Sequence, residues 1–362
     1  MVILRTNLQK SGKCHYTFRH RAIVNPGMHG NRFLRGIAAL TLFGSPAIFS
    51  QTSASLTGVG YSKPAPFLVA PGQIVTLSLR GVTPLPDGSL RTADAGSLPL
   101  PGTLAGLSAT LTQPGLDSAL AVPILAVHQE KDCGTSSPQC YLTTVRVQIP
   151  FELPASTTPR LGDKGVKVPD AELVLQEDGN VSRTFPLRPV SENGHVLTSC
   201  DLANDLNPDS VCSRVAYHAD GRTVNLDNPA ERGETISVFA YGLGQTTPAA
   251  RTGDVAGAGL STVDPVQPRM FVTLTDRFLN SSPSLPRTQS ADPYNQPFAE
   301  ISFAGLAPGQ VGVYQINVPI PRSFLVPVAC GPDANVGAIR SNGILQVTTA
   351  QGTENIPICV AK

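Results

Sequence analysis

The chain has 362 residues, room for two domains of ordinary size, each with its own core. It is rich in Gly and Pro, 33 of each, has few charged residues, lacks Trp and carries a net charge of only +1. That composition suits many short strands joined by tight turns, and a mildly acidic body without a basic patch excludes nucleic acid as the expected partner.

The charge is unevenly spread. Residues 1–51 hold seven basic side chains (Arg5, Lys10, Lys13, Arg19, Arg21, Arg32 and Arg35) and no Asp or Glu. Arg32 and Arg35 precede the apolar stretch Gly36 to Phe49, followed by the small polar run Ser50 to Ala54. A positive region, a short apolar region and small residues after it make a secretory signal. The stretch is too short to span a bilayer, and Pro46 interrupts it. Residues 1–54 are therefore expected to be a basic leader and signal peptide, with Met28 as the true start and cleavage between about residues 47 and 55. No second long apolar run exists, so the mature chain is expected to lack a transmembrane segment and to be secreted or held at the cell surface.

Two stretches of the body match each other. Ala70 to Val82 and Glu231 to Leu243 place Gly72 opposite Gly233 and Gly81 opposite Gly242, with Val75, Leu77 and Leu79 opposite Ile236, Val238 and Ala240. Apolar residues at every second position read as one face of a β-strand. Val145, Val147, Ile149 and Pro150 match Ile316, Val318, Ile320 and Pro321, and Phe185-Pro186-Leu187 matches Ile356-Pro357-Ile358. Each of the last pair follows a hairpin, one turning at Asp178-Gly179 and the other at Gln351-Gly352. One β-unit thus occurs twice, with about seven short strands each time. The fold expected is all-β, two tandem immunoglobulin-like β-sandwich domains after the signal segment. The first sandwich is placed at 55–189, a polar connector at 190–212 and the second sandwich at 213–362.

Removing the leader, with Cys14, leaves Cys133, Cys140, Cys200, Cys212, Cys330 and Cys359. An even number in an exported chain suggests disulfides, and the absence of CxxC spacing argues against zinc. Six cysteines permit 15 pairings. Proximity and strand placement favour Cys133–Cys140, Cys200–Cys212 and Cys330–Cys359.

The segment from His218 to Ala249, followed by Phe303 to Pro321, resembles an uncharacterised secreted C-terminal domain family of Solibacter and other Acidobacteria. Ser97 to Leu111 and Val147 to Pro154 resemble that family's upstream half more loosely. The resemblance implies export and an immunoglobulin-like β-sandwich; it brings no activity and no catalytic residues. The chain departs from the family pattern by insertions at 128–140 and 200–212 and a longer segment at 325–343, where an individual function is expected to sit.

Catalytic signatures are missing: there is no GxSxG, HExxH or P-loop. The body's histidines are His128, His195 and His218. His128-Gln129-Glu130 with Asp132 reads as a solvated loop, His218-Ala219-Asp220-Gly221 as a hairpin turn, and Arg232-Gly233-Glu234 as part of the repeat's turn. Asp201 to Asp209 is rich in oxygen ligands but lacks the Gly and Glu of a calcium loop. Gly257-Ala258-Gly259 has no strand-to-helix context for nucleotides. No cofactor, metal site or catalytic residue is expected. The function expected is a non-catalytic extracellular structural or interaction module that presents loops to a macromolecular partner, an extracellular protein or polysaccharide. The alternative is a carbohydrate-binding module at the cell surface, but that use needs exposed aromatic platforms. Of Tyr61, Tyr141, Tyr217, Tyr241, Tyr294 and Tyr314, only Tyr294 in a loop is a good exposed candidate.

Overall fold

The structure, a computed structural model, describes residues 55–58, 61–62, 66–134, 138–157, 165–203, 212–256, 262–263, 271–276, 301–324, 326, 329–332, 339–349 and 352–362. The leader, Tyr294, Gly257 to Gly259 and most of the Asp201–Asp209 run lie outside the described residues. Residues 51–362 form one compact unit.

The described residues are almost entirely β, with one five-residue helix, Ser199–Ala203, and one 3-10 turn, Pro138–Cys140. One sheet runs laterally Ser55–Gly58, Ile74–Arg80, Tyr141–Gln148, Ile124–Lys131. The facing sheet runs Phe67–Val69, Asn180–Pro189, Ala171–Glu177, Leu107–Thr112. This is the immunoglobulin order, in which the first, second, fifth and fourth main strands oppose the third, sixth and seventh. Leu77, Leu79, Val145 and Val147 from one sheet meet Leu111, Leu173, Leu175 and Phe185 from the other in a buried cluster.

A second set of strands follows the same path. His195–Val196, Thr235–Tyr241, Tyr314–Pro319 and Phe303–Leu306 make one sheet, and Phe271–Asp276, Gly343–Thr349 and Gly352–Ile358 the other. Their inward residues, including Ile236, Val238, Ile316, Leu345 and Ile356, form a second buried cluster.

The repeat read from sequence recurs in register. Val75 opposes Val147 and Leu77 opposes Val145. Ile236 opposes Val318 and Val238 opposes Ile316. The turns before these strands match bond for bond. Gly72 N donates to Ile149 O at 2.9 Å and Ile149 N to Gln73 O at 2.8 Å; Gly233 N donates to Ile320 O and Ile320 N to Glu234 O, both at 2.7 Å. In each turn the residue after the glycine reaches back three positions. Gln73 Oε1 accepts from Ala70 N, and Glu234 Oε2 from Glu231 N, both at 2.8 Å. Gly72 and Gly233 have φ of 76° and 89°, where a Cβ is penalised, and Pro150 and Pro321 follow because the ladder needs no donor there. The last strand also closes alike in both: Val190 N donates to Val69 O at 2.9 Å, and Ala361 N to Ala230 O at 2.8 Å.

Within the stretch expected to be a polar connector, His195 and Val196 pair with Tyr241 and Ala240 as an outer strand. Two paired residues are too short a run to stand out in a polar segment.

The two clusters are interlocked. Phe151, just past the first unit's Ile149-Pro150, belongs to the second unit's core. Its N–H donates to Thr252 Oγ1 at 2.8 Å, and Gly253 N donates to Gln148 Oε1 at 2.7 Å. Asn193 Nδ2 donates to Leu68 O at 2.9 Å and Gln73 Oε1 at 3.2 Å. A Cβ at Gly72 would lie 2.1 Å from the Phe151 ring. Gly179 also has positive φ, 83°, but a Cβ there meets nothing within 4 Å. Gly72→Ala is therefore expected to destabilise by about 3 kcal/mol or more, and Gly179→Ala by only about 1–2 kcal/mol. Urea unfolding of the two variants checks this; equal losses would mean that the ring contact contributes nothing.

Candidate functional site

The first insertion is shorter than its sequence suggests, because Ile124–Lys131 is a strand. Gln129, read as part of a solvated loop, is buried; its Nε2 donates to Val82 O at 3.0 Å and Thr143 Oγ1 at 2.9 Å. His128 is exposed. The loop is closed at its base by the Cys133–Cys140 disulfide, with Cα atoms 5.1 Å apart, and Asp132 N donates to Cys140 O at 3.0 Å. Arg80 clamps it from the neighbouring strand, pairing with Asp132 and donating to Gln139 O at 3.2 Å. Arg80 lies at one end of its strand and Ile74, beside the junction, at the other, so the loop's base stands about 20 Å from the junction.

The second disulfide, Cys200–Cys212, has Cα atoms 5.3 Å apart, and the third, Cys330–Cys359, 5.7 Å. The Cys200–Cys212 loop springs from the outer strand His195–Val196. Ser199 N donates to Ser213 O at 2.8 Å at its neck. The bases of the two loops thus stand on different sheets.

Beside the neck of the second loop lies a charged cluster that the sequence did not reveal. His195 is buried, its Nε2 3.1 Å from Asp201 Oδ2 and its Nδ1 3.4 Å from Glu354 Oε1. Arg214 donates to Glu354 Oε1 at 2.8 Å, and Thr198 N and Oγ1 donate to Asp201 Oδ2 at 2.8 and 2.7 Å. Burial alone would lower the His195 pKa, but the hydrogen bonds and charges of Asp201 and Glu354 outweigh it and hold the pKa at about 9. Burial likewise pushes Glu354 up, and His195 and Arg214 bring it down to about 2. Both ring nitrogens donate to carboxylates, so the ring is an imidazolium at neutral pH. The cluster ties outer strand, loop neck and last strand together. His195 and Glu354 lie 159 residues apart, 354 − 195, so no local motif marks the cluster.

His218 occupies a hairpin turn, as its sequence suggests. Its Nδ1 bonds Glu234 Oε1 at 2.5 Å and its Nε2 donates to Asn228 O at 3.0 Å. Asp201 is spent on His195 and Thr198. Tyr314 is wholly buried and donates its hydroxyl to Gly244 O, and Tyr217 packs edge-on against Phe239 at 5.4 Å. Among the described residues no group of three His, Cys, Asp or Glu side chains could hold a metal, and no helix is long and apolar enough to cross a membrane. A cleft of about 220 Å³ lies at the junction, lined by Phe151, Arg251, Asp254, Val255, Leu306 and Gly312. It is smaller than the roughly 300–1,000 Å³ that drug-sized ligands need.

The chain matches no protein-family model and is similar to no curated protein. Solved structures with some likeness include the Escherichia coli adhesin FdeC, with 12% identity over 86% of this chain and 64% of that one and a TM-score of 0.19. The Yersinia pseudotuberculosis adhesin InvE has 16% identity over 82% and 57%, with a TM-score of 0.21. Domains 4–9 of the surface layer protein SbsC have 11% identity over 86% and 31%, with a TM-score of 0.21. The chain spans less than two thirds of the length of each. Superpositions at these values define neither fold nor function for this chain.

The His195 cluster sets a pH dependence. The raised His195 pKa gives stability fully present below about 6.5 and lost as pH rises through about 9. The depressed Glu354 pKa gives stability present above about 4.5 and lost as pH falls toward about 2. Between pH 6.5 and 9.5 the protein should lose stability on the order of 1–3 kcal/mol through His195. His195→Gln should lack that slope while starting from lower stability. Denaturation series across this range check the point; parallel curves would show that His195 carries no charge in the folded state.

Proposed function

We propose that this chain is a secreted, non-catalytic module that acts at or outside the cell surface by presenting disulfide-closed loops to a macromolecular partner. The observation that carries the reading is the mounting of the first loop. A sandwich end fixed by buried polar bonds holds the Cys133–Cys140 loop by a crosslink, a backbone bond and the Arg80 clamp. Recognition commonly sits in loops on a rigid scaffold, and a closed loop loses less entropy on binding. The three disulfides fit an oxidising compartment. The leader and the resemblance to the secreted Acidobacteria family support export in the same direction. The polar clusters also favour a scaffold over a catalyst. His195 and His218 are each tied through both ring nitrogens to partners within the fold.

An extracellular protein is the partner favoured over a polysaccharide, since Tyr314 and Tyr217 are used for packing and the chain has no Trp for sugar stacking. The test compares the mature chain with two variants in which residues 134–139 or 204–210 are replaced by Gly-Ser of equal length, keeping all six cysteines. Binding to isolated envelope proteins, measured by surface plasmon resonance, should weaken at least about tenfold in one variant, the loss of roughly 1.4 kcal/mol. Unchanged binding in both would remove the loops as the recognition surface. Selective binding on a glycan array would favour the carbohydrate reading, and turnover of an ester, glycan or peptide substrate would overturn the non-catalytic one.

A further inference from the structure

The hairpin joining Ala171–Glu177 to Asn180–Pro189 carries the tripeptide Asn180-Val181-Ser182. That is the acceptor pattern for N-linked sugar, and it has meaning only where a transferase can reach it in an exported chain. We propose that Asn180 is a glycan-acceptor site, a reading that rests on the export proposed above.

Three observations favour this position. The tip is open: Asp178, Gly179 and Asn180 are all exposed, and a Cβ at Gly179 meets nothing within 4 Å. The acceptor amide is lightly held, with Asn180 Nδ2 donating only a long bond of 3.4 Å to Asp178 O. The register shifts just after the sequon begins. Gln176 opposes Val181 and Leu175 opposes Arg183, so Ser182 is an extra residue without a ladder partner.

The rest of the hairpin is held firmly. Arg91, wholly buried, donates to Thr83 O at 2.7 Å and Ala105 O at 2.8 Å, and grips both Asp178 oxygens at 3.2 and 2.6 Å. Asp178 N also donates to Gly106 O at 2.8 Å. The sequon is thus displayed at a fixed place on the surface. Arg183 donates to Arg80 O at 3.2 Å, and the Arg80 side chain clamps the Cys133–Cys140 loop. A glycan on Asn180 would stand beside that loop, at the end of the sandwich away from the junction.

The co-reactant is a lipid-diphosphate-linked sugar, and an envelope transferase is the catalyst. Asn180 Nδ2 attacks the anomeric carbon. The carbon–nitrogen bond forms as the carbon–oxygen bond to the diphosphate breaks. The lipid diphosphate leaves with the bonding pair, and the amide proton passes to a carboxylate of the transferase. The Ser182 hydroxyl is the feature the transferase reads.

The experiment isolates the protein from its native host and maps the tryptic peptide of residues 168–183 by mass spectrometry, alongside the N-terminus of the intact chain. The expected result is a sugar mass on this peptide, absent in Asn180→Gln and Ser182→Ala and retained in Ser182→Thr. The melting temperature of enzymatically deglycosylated wild type, matched by Asn180→Gln, shows that the variant folds. A bare peptide on a chain whose leader has been removed overturns the glycan proposal and leaves export standing. A bare peptide on an unprocessed cytoplasmic chain overturns both. Sugar confined to the second sequon, Asn280-Ser281-Ser282, overturns the assignment to Asn180.

Discussion

The placement of the Phe151 ring over Gly72 is the constraint on which the rest of the arrangement depends. Phe151 leaves the first unit through Ile149-Pro150 and enters the second unit's core, across a turn whose glycine leaves no room for a side chain. The same close approach explains the burial pattern of Ile74–Arg80. A strand covered on one face alternates buried and open residues, as Thr235–Tyr241 does. The first four residues of Ile74–Arg80 are all buried, because the second unit covers the other face: a Cβ on Gly312 would stand 2.8 Å from Ile74 Cδ1. Buried polar bonds at Gln148–Gly253 and Asn193–Gln73 surround this contact. Removing one partner of such a bond would leave the other unsatisfied away from water, so the junction resists shear as well as separation.

The backbone device that starts the repeat shows how one fold diverges. Gln73 and Glu234 occupy the same place and both cap the residue three positions back. Gln73 uses the same side-chain oxygen to accept from Asn193 at the junction. Glu234 has a second carboxylate oxygen, which binds His218 and braces the neighbouring hairpin. Burial would lower the His218 pKa, but Glu234 and the Asn228 carbonyl raise it on balance. A single amide-to-acid difference converts a joint between units into a strut within one.

Much of the fold was legible because it is written in local periodicity. The alternation Val75, Leu77, Leu79, its echo Ile236, Val238, Ala240, and the glycines and prolines that bound them carry strand, turn and register without reference to distant residues. The third strand of each sandwich was not recovered as a repeat, although Leu111 and Leu274 both oppose the sixth strand, at Leu173 and Leu345. Each of these strands pairs with one far along the chain, and no turn signature is shared. The strand His195–Val196 was missed because two residues carry no period. The charged clusters were least legible. Arg91 looks like a surface residue in a polar loop, and its burial follows from carbonyls and carboxylates at Thr83, Ala105 and Asp178 that only folding brings together.

Those clusters bear on what the scaffold can do. Arg91 and His195 are both charged groups taken out of water, which is costly unless every donor finds an acceptor. Arg91 is met by Asp178, and His195 by Asp201 and Glu354, and each sits directly beneath a surface feature: Arg91 beneath the Asp178 hairpin, His195 beneath the Cys200–Cys212 neck. An apolar residue at either place would leave these acceptors without their donor and the overlying turn without its anchor. A guanidinium bound by two carboxylate oxygens fixes both the position and the direction of that turn. The fold spends buried charge where orientation of the surface matters and uses aliphatic packing elsewhere. That division fits the presenting role proposed above, since a loop that must meet a partner in one geometry gains more from a fixed base than from a larger core.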